Sequence, residues 1–110
     1  MNISVVIPLL NEQNSLEELT SSVSFIINNL KLEFEIILID DGSTDNSWKI
    51  ISKICSSNKN IKAIRFLKNF GKSQALSAGF KACNGDVVIT MDADLQDDPN
   101  EIPQLYKKIS

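Results

Sequence analysis

The run Phe34-Glu35-Ile36-Ile37-Leu38-Ile39 is apolar at five of its six positions and shows no polar alternation. Such a segment has no face to leave in water. It fits a strand of a parallel sheet covered by helices on both sides. Ile3-Ser4-Val5-Val6-Ile7, closed by Pro8, is a second β-branched run, and Ile61 to Leu67 and Asp86 to Met91 read as two more strands. In the third, Ile61, Ala63 and Phe66 are expected to face the core.

Helical patterns fill the gaps. Leu16, Leu19, Val23, Ile26 and Leu30 recur at helical spacing, with Asn14 or Ser15 as N-cap and Glu17 and Glu18 suiting the helix dipole. After a turn predicted over Asp40 to Asp45, Trp48, Ile51, Ile54 and Cys55 mark a second helix. Gly71 to Cys83 reads as a third, whose Ala75, Ala78, Gly79 and Ala82 allow close packing on a sheet. Asp98 as cap, Pro99 at the first position and Glu101 reaching back open a fourth, continued by Ile102, Leu105 and Ile109. Strands alternating with helices imply right-handed βαβ units: an α/β chain with a Rossmann-like, mostly parallel sheet, as one unit over residues 1–110. The last helix has barely begun when the chain stops, so this reading expects part of the active site to lie beyond Ser110.

Composition removes several functions. The net charge is −3 and Arg65 is the single arginine, which argues against a nucleic-acid surface. There is no histidine, so the usual zinc sites and imidazole bases are excluded. Cys55 and Cys83, isolated on apolar-patterned segments, are expected to be buried free thiols in a reducing cytosol. No apolar stretch approaches a membrane span and no signal peptide is apparent, so a cytoplasmic chain is expected.

The polar residues concentrate after the strands. Asn11-Glu12 follow the first, Asp40-Asp41-Gly42-Ser43-Thr44-Asp45 the second, Lys68-Asn69-Phe70-Gly71-Lys72 the third, and Asp92-Ala93-Asp94 the fourth. In open α/β sheets ligands bind beyond the carboxyl ends of strands, so all four clusters fall on the binding rim. The amino ends are expected to carry nothing comparable. Asp92 and Asp94, one residue apart, can converge on one hard cation, and oxygen ligands favour Mg²⁺ or Mn²⁺. Lys68 and Lys72, flanking Gly71 at a helix start, read either as ordinary surface charge or as groups that face a phosphate together with the helix N-terminus. These acidic groups are expected to share a pocket wall with Glu12 and Asp41.

Val5 to Glu12, Ile39 to Asp45, Asn69 to Lys72 and Asp92 to Asp97 together resemble, in order and spacing, the family 2 glycosyltransferases of GT-A fold. The nearest likeness is to the polyprenyl-phosphate branch, the dolichol-phosphate mannosyltransferase-like and bactoprenol glucosyltransferase-like proteins. The resemblance implies that Pro8, Leu10, Glu12, Ile39, Asp40 and Asp41 line the nucleoside pocket. Asp92 and Asp94 would serve the metal and diphosphate together with Ala93 and Lys72, and Gln96 would lie near the sugar. Leu10 departs from the tyrosine common at that position, so an aliphatic contact replaces base stacking there.

The implied reaction is metal-dependent, inverting transfer of a hexose from a nucleoside-diphosphate sugar, with UDP favoured and GDP the alternative, to a polyprenyl phosphate. The lipid-phosphate acceptor places a longer parent protein at the cytoplasmic face of the membrane, with homo-oligomerisation compatible. No catalytic base is assignable up to Ser110, so weak metal-dependent nucleotide binding without turnover is expected of these residues. Transfer to a polysaccharide or other hydroxyl acceptor is the alternative, as is a non-catalytic nucleotide-binding module. A phosphoacceptor receiver domain would carry its acidic pair after the first strand. A haloacid-dehalogenase-like phosphatase would carry Asp-x-Asp there too, with Thr or Val where Gln96 stands.

Overall fold

The computed structural model describes residues 1–110, and its sheet accounts for the apolar runs. Four strands, β1 (Ile3–Leu9), β2 (Phe34–Asp41), β3 (Ile61–Phe66) and β4 (Val87–Thr90), lie in the order β3-β2-β1-β4 and are all parallel. Helices α1 (Leu16–Asn29), α2 (Ser47–Ser57), α3 (Lys72–Ala82) and α4 (Ile102–Ile109) alternate with them, the last preceded by a 3-10 turn at Pro99–Glu101. Every residue of β1 and β2 is buried. Ile3 pairs with Phe34 and Val87, which centres β1 between β2 and β4.

The two faces are covered unequally. Alternate residues Ile3, Val5, Ile7, Leu9, Ile36 and Leu38 meet Leu16, Leu19, Val23, Ile27, Ile51 and Ile102 in a core of 19 buried residues. The opposite face holds only Val6, Ile37, Ile39 and Ala75 as fully buried apolar groups, under α3 alone. That single helix seals its face by coming very close. A methyl on Gly79 would run into the side chains of Val6 and Ile39. Phe66 packs on this thin side with Ile64, whereas Ile61 and Ala63 belong to the thick one, so β3 divides its side chains between two cores.

Several boundaries differ from the sequence-based expectations. β1 continues through Pro8 to Leu9. The amide of Met91 donates to the carbonyl of Val6, so Val6 turns its polar groups toward β4. Pro8, two residues on, turns the same way but lies past the last registered pair, Val6 with Thr90. Its missing N–H therefore costs no ladder bond. β2 likewise runs through Asp40 and Asp41 instead of turning at them. In α1 the buried stripe is Leu16, Leu19, Thr20, Val23 and Ile27; Ile26 packs against the core only in part, and Leu30 is the residue after the last turn. Asp98 accepts from the amide of Asn100, while the side chain of Glu101 makes no return bond. Cys55 and Cys83 are free and half-buried, and the sheet separates them, one against each core. No helix is long and apolar enough to cross a membrane.

The amino rim is not empty. Glu35, only 4% exposed, accepts from the Ser4 hydroxyl at 2.5 Å and the Asn84 amide at 2.7 Å, and pairs with Lys62 Nζ at 3.0 Å. The Gly85 amide donates to Ser4 Oγ, and Lys62 also donates to the carbonyl of Ala82. This network fastens the α3–β4 connection across three strands. Burial alone raises the pKa of Glu35, but the bonds from Ser4, Asn84 and Lys62 outweigh it and leave the carboxyl below its ordinary 4.5. A depressed folded-state pKa adds stability that is complete above the ordinary value and fades as pH falls through the lowered one. Glu35→Gln should therefore cost about 1–3 kcal/mol at neutral pH, and its deficit in urea denaturation should shrink below pH 4.5. A deficit that stays constant or widens in acid contradicts this role.

Candidate functional site

In the order β3-β2-β1-β4 the chain reverses direction across the sheet between β1 and β4. The loops leaving those two strands diverge there and open a crevice. An open cleft of about 430 Å³ occupies this point, lined by Pro8, Leu9 and Leu10 from the end of β1, Glu12 beyond it and Asp41 from β2. Asn69, Gly71 and Lys72 close a second side, and Asp92, Ala93 and Asp94 a third. Four strand ends thus contribute to one hollow, and Glu12, Asp41, Asp92 and Asp94 share its walls.

The loops after β1 and β2 are zipped by reciprocal side-chain bonds. Asn11, in the left-handed region at φ 55°, accepts through Oδ1 from the amides of Thr44 (2.8 Å) and Asp45 (3.2 Å). In return the amide of Asn11 donates to Ser43 Oγ and that of Glu12 to Ser47 Oγ. The amide of Gln13 donates to Asp45 Oδ2, and Gln13 Oε1 accepts from the amide of Asn46. Burial works against the charge of Asp45, yet Ser47 and the Gln13 amide hold its carboxyl below the usual range. Gly42 completes the join: at φ 83° it lies so close to the Lys68–Asn69 backbone that no side chain fits.

Asp41 ties the third loop in, accepting from the amides of Phe70 (2.8 Å) and Gly71 (3.1 Å). Asp40 points to the other face, 1% exposed; one oxygen accepts from the Ser43 amide and the other finds no partner in the protein. The fourth loop folds on itself. The Asp92 amide donates to Asp97 Oδ2 and the Gln96 amide to Asp94 Oδ1, with Leu95 strained at φ 66° between them. Ser15 joins this loop to the first: its hydroxyl donates to the Ala93 carbonyl at 2.6 Å. Ser15 sits at the N-cap position but makes no side-chain cap bond; its hydroxyl instead lies against Glu12 and the Ala93 carbonyl.

Pro8, Leu10, Glu12, Asp41, Lys72, Asp92, Ala93 and Asp94 therefore come together, and three further residues do not line the cleft. Ile39 is wholly buried under α3. Asp40 lies beneath the loops, and Gln96 is exposed beyond the Asp94 turn. Leu9 joins the lining because β1 is longer than its apolar run suggested. Ser15 reads locally as a helix cap, and its bond to the Ala93 carbonyl is invisible in the sequence because that partner is 78 residues away.

Lys72 Nζ stands 2.8 Å from Asp92 Oδ1, and this hydrogen bond and charge, helped by Asp97 and Asp94, raise the lysine pKa. No three carboxylate, cysteine or histidine side chains converge as a ready-made metal cage. Two carboxylates on one loop suit a Mg²⁺-like ion, which commonly takes one or two protein oxygens and completes its shell with substrate phosphates and water.

The family model described as glycosyl transferase family 2 matches residues 4–110. The chain belongs to that family. An undecaprenyl-phosphate 4-deoxy-4-formamido-L-arabinose transferase of Pseudomonas fluorescens (strain SBW25) is 46% identical over 107 residues, 96% of this chain and 31% of the relative. The chain thus spans about a third of the length of the curated relatives it matches. Among solved structures, glucosyl-3-phosphoglycerate synthase from Mycobacterium tuberculosis with Mn²⁺, UDP and phosphoglyceric acid is similar at 30% identity and TM-score 0.75, covering 98% of this chain and 38% of that one. S. aureus TarS 1-349 with UDP-GlcNAc is similar at 26% identity and TM-score 0.76, over 98% of this chain and 30% of that one. The α/β sheet is therefore that of GT-A glycosyltransferases.

The loop zip has a measurable weight. Asn11→Ala removes an acceptor shared by two amides and a residue tolerant of positive φ. It should cost about 1–2 kcal/mol in urea denaturation. A cost below about 0.5 kcal/mol, the level of an ordinary surface substitution, would show that the zip does not hold the rim.

Proposed function

We propose that the cleft is the donor site of a glycosyltransferase that moves one sugar residue, with inversion, from a nucleoside-diphosphate sugar to a polyprenyl phosphate. The observation carrying the reading is the convergence of Asp92 and Asp94 with Glu12, Asp41 and Lys72 on one hollow at the switch point. Membership of glycosyl transferase family 2 supports the reaction class. The undecaprenyl-phosphate relatives, 46% identical, support the acceptor. UDP in the structures of two similar proteins supports uridine over guanosine as the base, and Mn²⁺ in one of them supports a divalent cofactor.

In this reading Asp92 and Asp94 hold Mg²⁺ or Mn²⁺. Bound there, the ion would act as a Lewis acid on the departing diphosphate. Glu12 and Asp41 bound the nucleoside side, where Leu10, 41% exposed, offers an aliphatic surface in place of an aromatic ring. Asp41 keeps its orientation because two backbone amides grip it. The α3 N-terminus, with unpaired first-turn amides, faces the phosphates beside Lys72. A lipid-phosphate acceptor is already anionic, so it requires alignment more than deprotonation. We place the parent protein at the cytoplasmic face of a membrane, where such a lipid meets a soluble nucleotide-sugar.

Calorimetry on the 110-residue chain tests this. UDP with Mn²⁺ should bind with a dissociation constant on the order of 0.1–1 mM, and Asp94→Ala should weaken binding by about tenfold or more (about 1.4 kcal/mol). UDP binding indifferent to chelation and to Asp94→Ala, in a folded sample, would refute the donor-site reading.

A further inference from the structure

The cleft wall carries four carboxylates, Glu12, Asp41, Asp92 and Asp94, and a single ammonium, that of Lys72. That ammonium is 2.8 Å from Asp92, one of the two oxygen donors a divalent ion would need. Either ligand arriving alone meets an obstacle. A dication must displace the lysine or crowd against its charge, and a diphosphate must approach four carboxylates whose one cation is already engaged. Arriving together they remove both obstacles, because the ammonium has phosphate oxygens to turn to.

The pair is built to exchange. Lys72 and Asp92 side chains are 64% and 44% exposed, and exposed pairs are held weakly. Lysine brings a compact charge on a flexible four-carbon stem, unlike the planar fork of arginine. Lys72 is also the first residue of α3, so its stem pivots at the helix end that faces anions. The backbone at Asp92 is held independently of the lysine, its amide donating to Asp97 Oδ2.

Resting on the donor-site reading, we propose that Lys72 is a resident counter-ion of Asp92 that passes to the diphosphate when the metal takes its place, making metal and nucleotide binding mutually dependent. Linkage requires the dependence to be reciprocal: UDP tightens Mn²⁺ binding by the same factor as Mn²⁺ tightens UDP binding.

The test follows Mn²⁺ by electron paramagnetic resonance, with and without UDP, in the unaltered chain, Lys72→Gln and Lys72→Arg. In the unaltered chain UDP should tighten Mn²⁺ binding by about tenfold or more, within the usual range of coupling between sites. Lys72→Gln should bind Mn²⁺ alone several-fold more tightly, and its UDP-induced gain should fall to roughly threefold or less. Lys72→Arg, keeping the charge, should bind Mn²⁺ alone no better than the unaltered chain. A Lys72→Gln chain whose coupling is unchanged, or whose affinity for Mn²⁺ alone is no higher, overturns the counter-ion role while leaving the donor site standing. Absence of metal-dependent UDP binding in the unaltered chain overturns both.

Discussion

Strands β1 and β2 are buried along their whole length, and the placing of every polar group follows from that. With helices on both faces, these strands have no wet side on which to place polar groups. Polarity is pushed to their ends, and because all four strands are parallel, their carboxyl ends form one rim. The reversal between β1 and β4 then opens that rim where Glu12 faces Asp92 and Asp94. Polar groups that remain within the buried length carry partners. Glu35 has a hydroxyl, an amide and an ammonium, and Asp41 has two amides. Asp40 alone keeps an oxygen unmatched.

The thin and thick sides of the sheet serve different ends. The thick core joins α1, α2 and α4 and anchors the loop after β4, with Met91 and Ala93 among its buried members. Backbone next to the acidic pair is thereby fixed from below, while Asp94 itself stays exposed. On the thin side α3 depends on Ala75 and Gly79 to lie against β1 and β2. That closeness aims its first residue, Lys72, at the cleft.

Much of this was readable from residue order. Apolar runs located all four strands, and helical spacing located all four helices, because both patterns are local. The chemistry-bearing clusters after each strand were local as well. What sequence alone concealed was long-range. Asp40 and Asp41 look like turn residues beside Gly-Ser-Thr, yet ladder bonds to β1 and β3 draw them into β2. Ser15 looks like a helix cap, and only the fold brings Ala93 to its hydroxyl. The amino rim looked featureless because Ser4, Glu35, Lys62 and Asn84 lie far apart in the chain. Ile39 and Gln96 fall beside the right motifs but off the cleft wall: Ile39 shares the face of Asp41 but lies two residues deeper in β2, sealed under α3, and the Asp94 turn leaves Gln96 exposed.

On the donor-site proposal, one rim gathers a metal and a diphosphate between β1 and β4. Paramagnetic broadening of amide signals by Mn²⁺ in the presence of UDP tests it most directly, because a seven-residue strand separates the two rims by about 20 Å. Signals of Glu12, Gly71, Lys72 and Asp92 to Gln96 should broaden first, while those of Lys62, Asn84 and Gly85 persist. Broadening centred on the amino rim, or spread evenly over both, would rule out a donor site between β1 and β4.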